Sequence, residues 1–160
     1  MDGSKLHTVF LSLGTNLGDK EANMRQALKN IDERVGKIIA CSVFFTTEPV
    51  GFESDNSFLN AACKIETELS PLEVLEYTQV IEREMGRNSK SYNKEYKDRI
   101  IDIDILLYDD LVLEYPHLII PHPEMHKREF VLKPLAEIAA NVEHPLFEKT
   151  IEKLLTELSK

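Results

Sequence analysis

The stretch DRIIDIDILLYD, residues 98–109, sets an acidic pair inside an apolar run. Ile100, Ile101, Ile103, Ile105, Leu106 and Leu107 read as a strand bound for a core, and side chains along a strand alternate between its two faces. Asp102 and Asp104 therefore share one face, and Ile101, Ile103 and Ile105 share the other. The Cα atoms of residues so placed lie about 6–7 Å apart, so both carboxylates reach one cation or a pair of them. Taken alone, the stretch allows two readings. A half-exposed antiparallel strand alternates apolar-in and polar-out, and the pair could simply face water. Yet Asp is depleted in strands and adjacent like charges repel, so a metal site stands level with a solvated edge until the rest of the chain is read.

The neighbouring sequence supplies the fold that the strand completes. Residues 7–14 read as a first strand, and 18–36 as a helix with Asp19 as cap, Gly36 as stop and Met24, Ala27, Leu28, Ile31 and Val35 at helical spacing. Residues 37–47 read as a second strand, 48–56 as a loop and 57–67 as a third strand. Residues 70–86 read as a helix: Ser70 and Glu73 form a capping box, Pro71 fits the first turn and Gly86 ends it. Residues 87–99 carry many charges and no hydrophobic period, which predicts a long mobile loop. Beyond the Asp strand, 111–130 suggests short strands and a Pro-rich loop. A helix kinked or restarted near Pro134 is expected over 130–141, and an amphipathic helix over 150–160. The order β-α-β-β-α-β is the split βαβ, ferredoxin-like arrangement of an α+β protein: an antiparallel sheet with helices mainly on one face. The other face is then free for a site, and Asp102 and Asp104 project from it.

Composition narrows the class. At 160 residues the chain suits one domain spanning 1–160, and its 42% hydrophobic and 29% charged residues are an ordinary globular mix. A net charge of −9 argues against a nucleic-acid or anionic-membrane binder. No apolar run is long enough for a membrane span, and the N-terminus lacks a signal-peptide core. Cys41 and Cys63 lack metal spacing and sit in strand-like runs, so both are expected as reduced core residues of a cytoplasmic protein.

Two carboxylates offer hard oxygen ligands, which suit Mg²⁺, and Mg²⁺ so held completes its shell with water and phosphate. Cations for phosphate flank the pair: Arg87, Lys90, Lys94, Lys97 and Arg99 upstream, and His122, His126, Lys127 and Arg128 downstream. No Walker A, G-x-S-x-G or H-E-x-x-H pattern is present. The residues alone lead to a magnesium site beside a basic loop and leave the acceptor open: a binding module or a metal-dependent phosphodiesterase would fit as well.

FLSLGTNLGD, FFTTEPVGF, FLNAACKIET, QVIEREMGR, RIIDIDILLY and IPHPEMHKREFVLKPLAEIA, in that order, resemble the 6-hydroxymethyl-7,8-dihydropterin pyrophosphokinases of folate biosynthesis over nearly the whole chain. The resemblance implies transfer of a diphosphate from ATP to the pterin's primary alcohol, with release of AMP and with two Mg²⁺ ions held by Asp102 and Asp104. It implies pterin contacts from Thr47, Val50, Phe58, Asn60 and Phe130, the two Phe sandwiching the ring. It places Gln79, Glu82, Arg87, Lys90, Arg99, Ile105, His122 and Arg128 on the nucleotide side, with Arg87 and Arg99 also catalytic. A monomer acting on small molecules is expected. The chain departs from the family pattern at Ser89, where a second loop Arg is common, at Lys97 and Asp98, which replace a Gly-Pro, and at His117 and Pro123.

Overall fold

The computed structural model describes residues 5–47, 57–86 and 100–159. In chain order the elements are β1 (His7–Thr15), α1 (Lys20–Arg34), β2 (Lys37–Cys41), β3 (Phe45–Thr47), β4 (Phe58–Thr67), α2 (Pro71–Glu84), β5 (Asp102–Tyr108), β6 (Leu113–Tyr115), β7 (Leu118–Ile120), α3 (Glu129–Ala139) and α4 (Ile151–Leu158). The main sheet runs β2-β4-β1-β5, and β3 continues the line of β2 along β4. Every pairing in it is antiparallel. The crossover through α1 leaves β4 between the strands it joins, and the crossover through α2 leaves β1 between its own. That is the split βαβ, ferredoxin-like topology expected from the element order.

Local signals start both crossover helices where the sequence places them. The Asp19 side chain accepts from the Ala22 N–H at 3.1 Å. Ser70 and Glu73 exchange the two bonds of a capping box, at 2.8 and 3.2 Å. The buried stripes Met24, Ala27, Ile31 and Val74, Ile81 then pack on Val9, Leu11, Leu13, Ala61, Cys63, Ile65, Ile101, Ile103 and Ile105. Gly36 is required by proximity: a Cβ there would stand 2.6 Å from the Glu66 carbonyl oxygen and 2.8 Å from Thr67 Cβ.

The second face of the sheet is only partly free. Phe10, Ala62, Leu106 and Leu107 form a further core on it with Met125, Val131, Leu132, Leu135, Ile151 and Leu154 of the C-terminal segment. A bulge makes this possible. Leu11 pairs with Ile105 and Phe10 with Leu107, so Leu106 is an extra residue in β5 and the alternation shifts there. Ile103 and Ile105 face α1 and α2, whereas Leu106 and Leu107 both join the cluster under α3 and α4. The carboxylates of Asp102 and Asp104 emerge beyond the edge of this cover.

Other expectations need correction. The strand read over 37–47 breaks between β2 and β3. The Ser42 hydroxyl accepts from the Ala62 N–H at 3.0 Å and donates to the Val43 carbonyl at 2.7 Å, while Glu137 accepts from the Val43 N–H at 2.7 Å. Side chains thus replace strand partners, which no hydrophobic period reveals. Cys63 is a core residue, but Cys41 is exposed, because β2 lies at the sheet edge. Helix α3 runs through Pro134 without restarting; the ring is buried, and it deletes a single hydrogen bond of the helix ladder. The loop expected over 87–99 lies outside the described residues. Among the described residues no helix is long and apolar enough to cross a membrane.

The turn between α3 and α4 is organised by His144, only 2% exposed. Its Nδ1 accepts from the N–H groups of Leu146 and Phe147 at 3.2 and 3.3 Å, and its ring stacks on Phe147 at 4.4 Å. Burial, with a smaller effect from His126, pushes its pKa down to about 4 from an ordinary 6.5. Below pH 6.5 the unfolded chain therefore binds a proton that the folded chain refuses, and stability falls as pH drops through that window toward 4. Urea unfolding at stepped pH should show this loss, and His144→Gln should remove that component of it. Gly36→Ala should cost about 1–3 kcal/mol in the same measurement, because the neighbour it strikes is backbone.

Candidate active site

Strands β4, β1 and β5 change character along the second face. Phe10, Ala62 and Leu106 lie under the C-terminal helices. Further along the same strands come Ser12 and Gly14 of β1, Asn60 and Phe58 of β4, and Asp104 and Asp102 of β5. Pairing sets Ser12 against Asp104, and it sets Gly14 between Asn60 on β4 and Asp102 on β5. The glycine leaves room for the amide, since a Cβ there would stand 3.2 Å from Asn60 Oδ1. Asn60 is buried, and its Nδ2 donates to Thr47 Oγ1 of β3 at 3.0 Å, which leaves Oδ1 as the acceptor turned toward Gly14.

These residues line a cleft of about 640 Å³, within the range of small-molecule sites. Thr47, Phe58, Asn60, Asp102, Asp104, Arg128 and Phe130, all singled out from the sequence, meet in it. Phe58 enters from β4 and Phe130 from the start of α3, where it is 42% exposed although apolar. The Arg128 guanidinium lies 5.8 Å from the Phe130 ring centre. The cleft thus joins an aromatic, amide-lined part to an acidic part with cations at its rim.

The remaining expected residues fall elsewhere. Gln79 is exposed on α2. Glu82 is 5% exposed and Ile105 is a core residue, so neither side chain opens into the cleft. His122 is half-buried beside β5: its N–H donates to the Leu106 carbonyl at 3.0 Å, and its Nδ1 accepts from the Glu124 N–H at 3.0 Å. In the neutral ring the proton therefore sits on Nε2. Burial is the main cause that lowers the His122 pKa; Arg128 adds to it, and Glu124 and Asp102 oppose it. Val50, Arg87, Lys90 and Arg99 lie outside the described residues, as do Lys94 and Lys97.

Ser12, Gly14, Phe45, Thr46 and Lys133 also line the cleft and were not singled out. The alternation of FLSLGT, with Leu11 and Leu13 on the core face, was a signal for the first two. For Lys133, whose Nζ lies 5.7 Å from the Phe45 ring centre, the sequence holds no signal, because α3 and β3 meet only in the fold.

Among the described residues no group of three or more His, Cys, Asp or Glu side chains is placed to hold a metal ion. Asp102 and Asp104 are a two-carboxylate set, which fits Mg²⁺ bound jointly with phosphate and not a closed protein cage.

The family model of 7,8-dihydro-6-hydroxymethylpterin-pyrophosphokinase (HPPK) matches residues 10–140. The chain belongs to the HPPK family. It is a pyrophosphokinase of folate biosynthesis. A pyrophosphokinase of Porphyromonas gingivalis named for 2-amino-4-hydroxy-6-hydroxymethyldihydropteridine is 48% identical over 82% of this chain and 90% of its own length. The Bacillus subtilis enzyme of the same name is 42% identical over 84% of this chain and 79% of its own length. The Schizosaccharomyces pombe folic acid synthesis protein fol1 is 39% identical over 98% of this chain, which spans only 21% of that longer protein. Among solved structures, wild-type Plasmodium falciparum HPPK-DHPS with pteroate superposes with a TM-score of 0.77 at 18% identity. That match covers 98% of this chain and 43% of the other, and it shows the fold.

The charges around His122 make a specific expectation for this HPPK. A proton NMR titration should place the His122 midpoint below 6.5, and Arg128→Ala should move it upward by removing a cation.

Proposed function

We propose that the cleft binds 6-hydroxymethyl-7,8-dihydropterin and ATP together and transfers the β,γ-diphosphate of ATP to the hydroxymethyl oxygen, releasing AMP. The observation that carries this reading is the meeting of an aromatic, amide-lined slot and a paired-carboxylate face in one cleft of about 640 Å³. The hydroxyl oxygen gives up its proton to solvent and forms a bond to the β-phosphorus while the bond from that phosphorus to the oxygen bridging it to the α-phosphate breaks, so AMP departs with the electron pair. Such a transfer asks for alignment and neutralised charge more than for covalent help.

Phe58 and Phe130 hold a flat heterocycle from its two faces. Asn60 Oδ1 accepts from ring N–H groups, held in place by the bond from Nδ2 to Thr47. Asp102 and Asp104 would hold magnesium, two ions on this reading, which would supply neutralisation of the triphosphate charge. Arg128, and His122 through its Nε2–H, face the phosphates. Val50, Arg87, Lys90 and Arg99 keep the roles that the resemblance gives them. The chain works as one domain, a cytoplasmic monomer with no nucleic-acid or membrane partner.

The test is to incubate the protein with MgATP, with and without the pterin, and to assay AMP. AMP formed only with the acceptor supports the reading. AMP formed equally without it marks a phosphodiesterase, and binding without AMP marks a binding module. Asp102→Asn and Asp104→Asn preserve shape and remove charge; each should lower turnover on the order of 100-fold or more with little change in unfolding midpoint. Phe58→Ala or Phe130→Ala should weaken pterin binding by about 1–3 kcal/mol in calorimetric titration and largely spare ATP binding.

A further inference from the structure

The strand that carries the acidic pair is the outer strand of the sheet, and among the described residues β1 is its one strand partner. Backbone groups of successive strand residues point to opposite edges. Ile103 lies between Asp102 and Asp104 and opposite Leu13. Its N–H turns away from β1. It donates to Glu82 Oε2 at 2.6 Å, and the bond is buried. Glu82 comes from the last turns of α2 and is 5% exposed. Next to it, Ile81 packs in the same core as Ile101 and Ile103. A few residues on, Gly86 has a φ of +120° and lies so close to Ile100 that a Cβ would stand 3.2 Å from Ile100 Cγ1. The end of α2 therefore grips the chain from Ile100 to Ile103, where β5 begins.

We infer that Glu82 is a positioning residue for the acidic pair: its carboxylate fixes the N–H of Ile103, the residue between Asp102 and Asp104, and so sets the direction of both side chains into the cleft. A strand edge that no further strand pairs can twist or fray, and twisting at Ile103 would turn the two carboxylates apart. A buried bond of 2.6 Å donated by this N–H to a carboxyl oxygen opposes such a twist. The helix-to-strand grip acts from behind the strand, since Glu82 does not line the cleft. This differs from the nucleotide contact that family resemblance suggests for the position. The inference rests on the reading of Asp102 and Asp104 as magnesium ligands.

The test compares Glu82→Ala, Glu82→Gln and Asp102→Asn with the parent chain, without nucleotide and in the full reaction. Amide hydrogen exchange of Ile103 reads the contact itself. Manganese titration followed by electron paramagnetic resonance reads the acidic pair without turnover. Glu82→Ala should speed Ile103 exchange by about tenfold, weaken manganese binding and lower kcat far more than it raises KM for ATP. Glu82→Gln keeps an oxygen acceptor, so it should restore Ile103 protection and recover most of the lost kcat. If Glu82→Gln protects Ile103 yet is as impaired as Glu82→Ala, the charge acts directly on ligand and the inference falls. It also falls if Glu82→Ala leaves exchange and manganese binding unchanged. Asp102→Asn separates the two readings: normal manganese binding and turnover in that variant overturn the magnesium assignment, whatever Ile103 exchange shows. Should Glu82→Ala fail to fold, Glu82→Gln still decides between acceptor and charge.

Discussion

The register of β1 against β4 and β5 is the constraint on which the rest depends. It aligns three positions where the second face turns from apolar to small or polar: Phe10 gives way to Ser12, Ala62 to Asn60 and Leu106 to Asp104. A slip of one residue in any strand would exchange its faces. It would turn Ser12, Asn60 or Asp104 into the core under α1 and α2 and bring out Leu13, Ala61 or Ile103. The burial that stabilises the fold therefore also fixes which side chains reach the cleft.

The C-terminal helices share in this. They cover the apolar end of the second face, and the start of α3 places Phe130 and Arg128 over the polar end. One helix thus closes a core with Val131, Leu132 and Leu135 and furnishes a wall of the site with residues just before them. The bulge at Leu106 joins the two tasks in β5, because strict alternation could not bury Leu106 and Leu107 on one side.

Where local rules govern, the sequence was readable. The caps at Asp19 and Ser70, the helical spacing of Met24, Ala27 and Ile31 and the alternation through Asp102 and Asp104 all reappear in the structure. The break at Ser42 and the bulge at Leu106 were not readable, because each depends on a partner far along the chain. The cover of the second face was missed for a related reason: an amphipathic helix shows that it has an apolar side, not which face of a sheet receives it. In the site, the acidic pair stood out by its strand period. Phe58, Asn60 and Phe130 carried no such mark, and only family resemblance picked them out. Lys133 escaped both.

The interrupted course of β2 and β3 bears on how the protein behaves in crowded solution. An outer strand with a long run of unpaired backbone groups is a template for another chain. Among the described residues the longest regular stretch of that margin is the five residues of β2, and a bulge between Ile38 and Ala40 lies inside it. Beyond it regular pairing lapses over residues 42–44, and the Val43 N–H is occupied by Glu137. A second copy laid alongside would find its hydrogen-bonding rhythm broken after a few residues. The same side chains that interrupt the strand thus guard this margin against edge-to-edge aggregation.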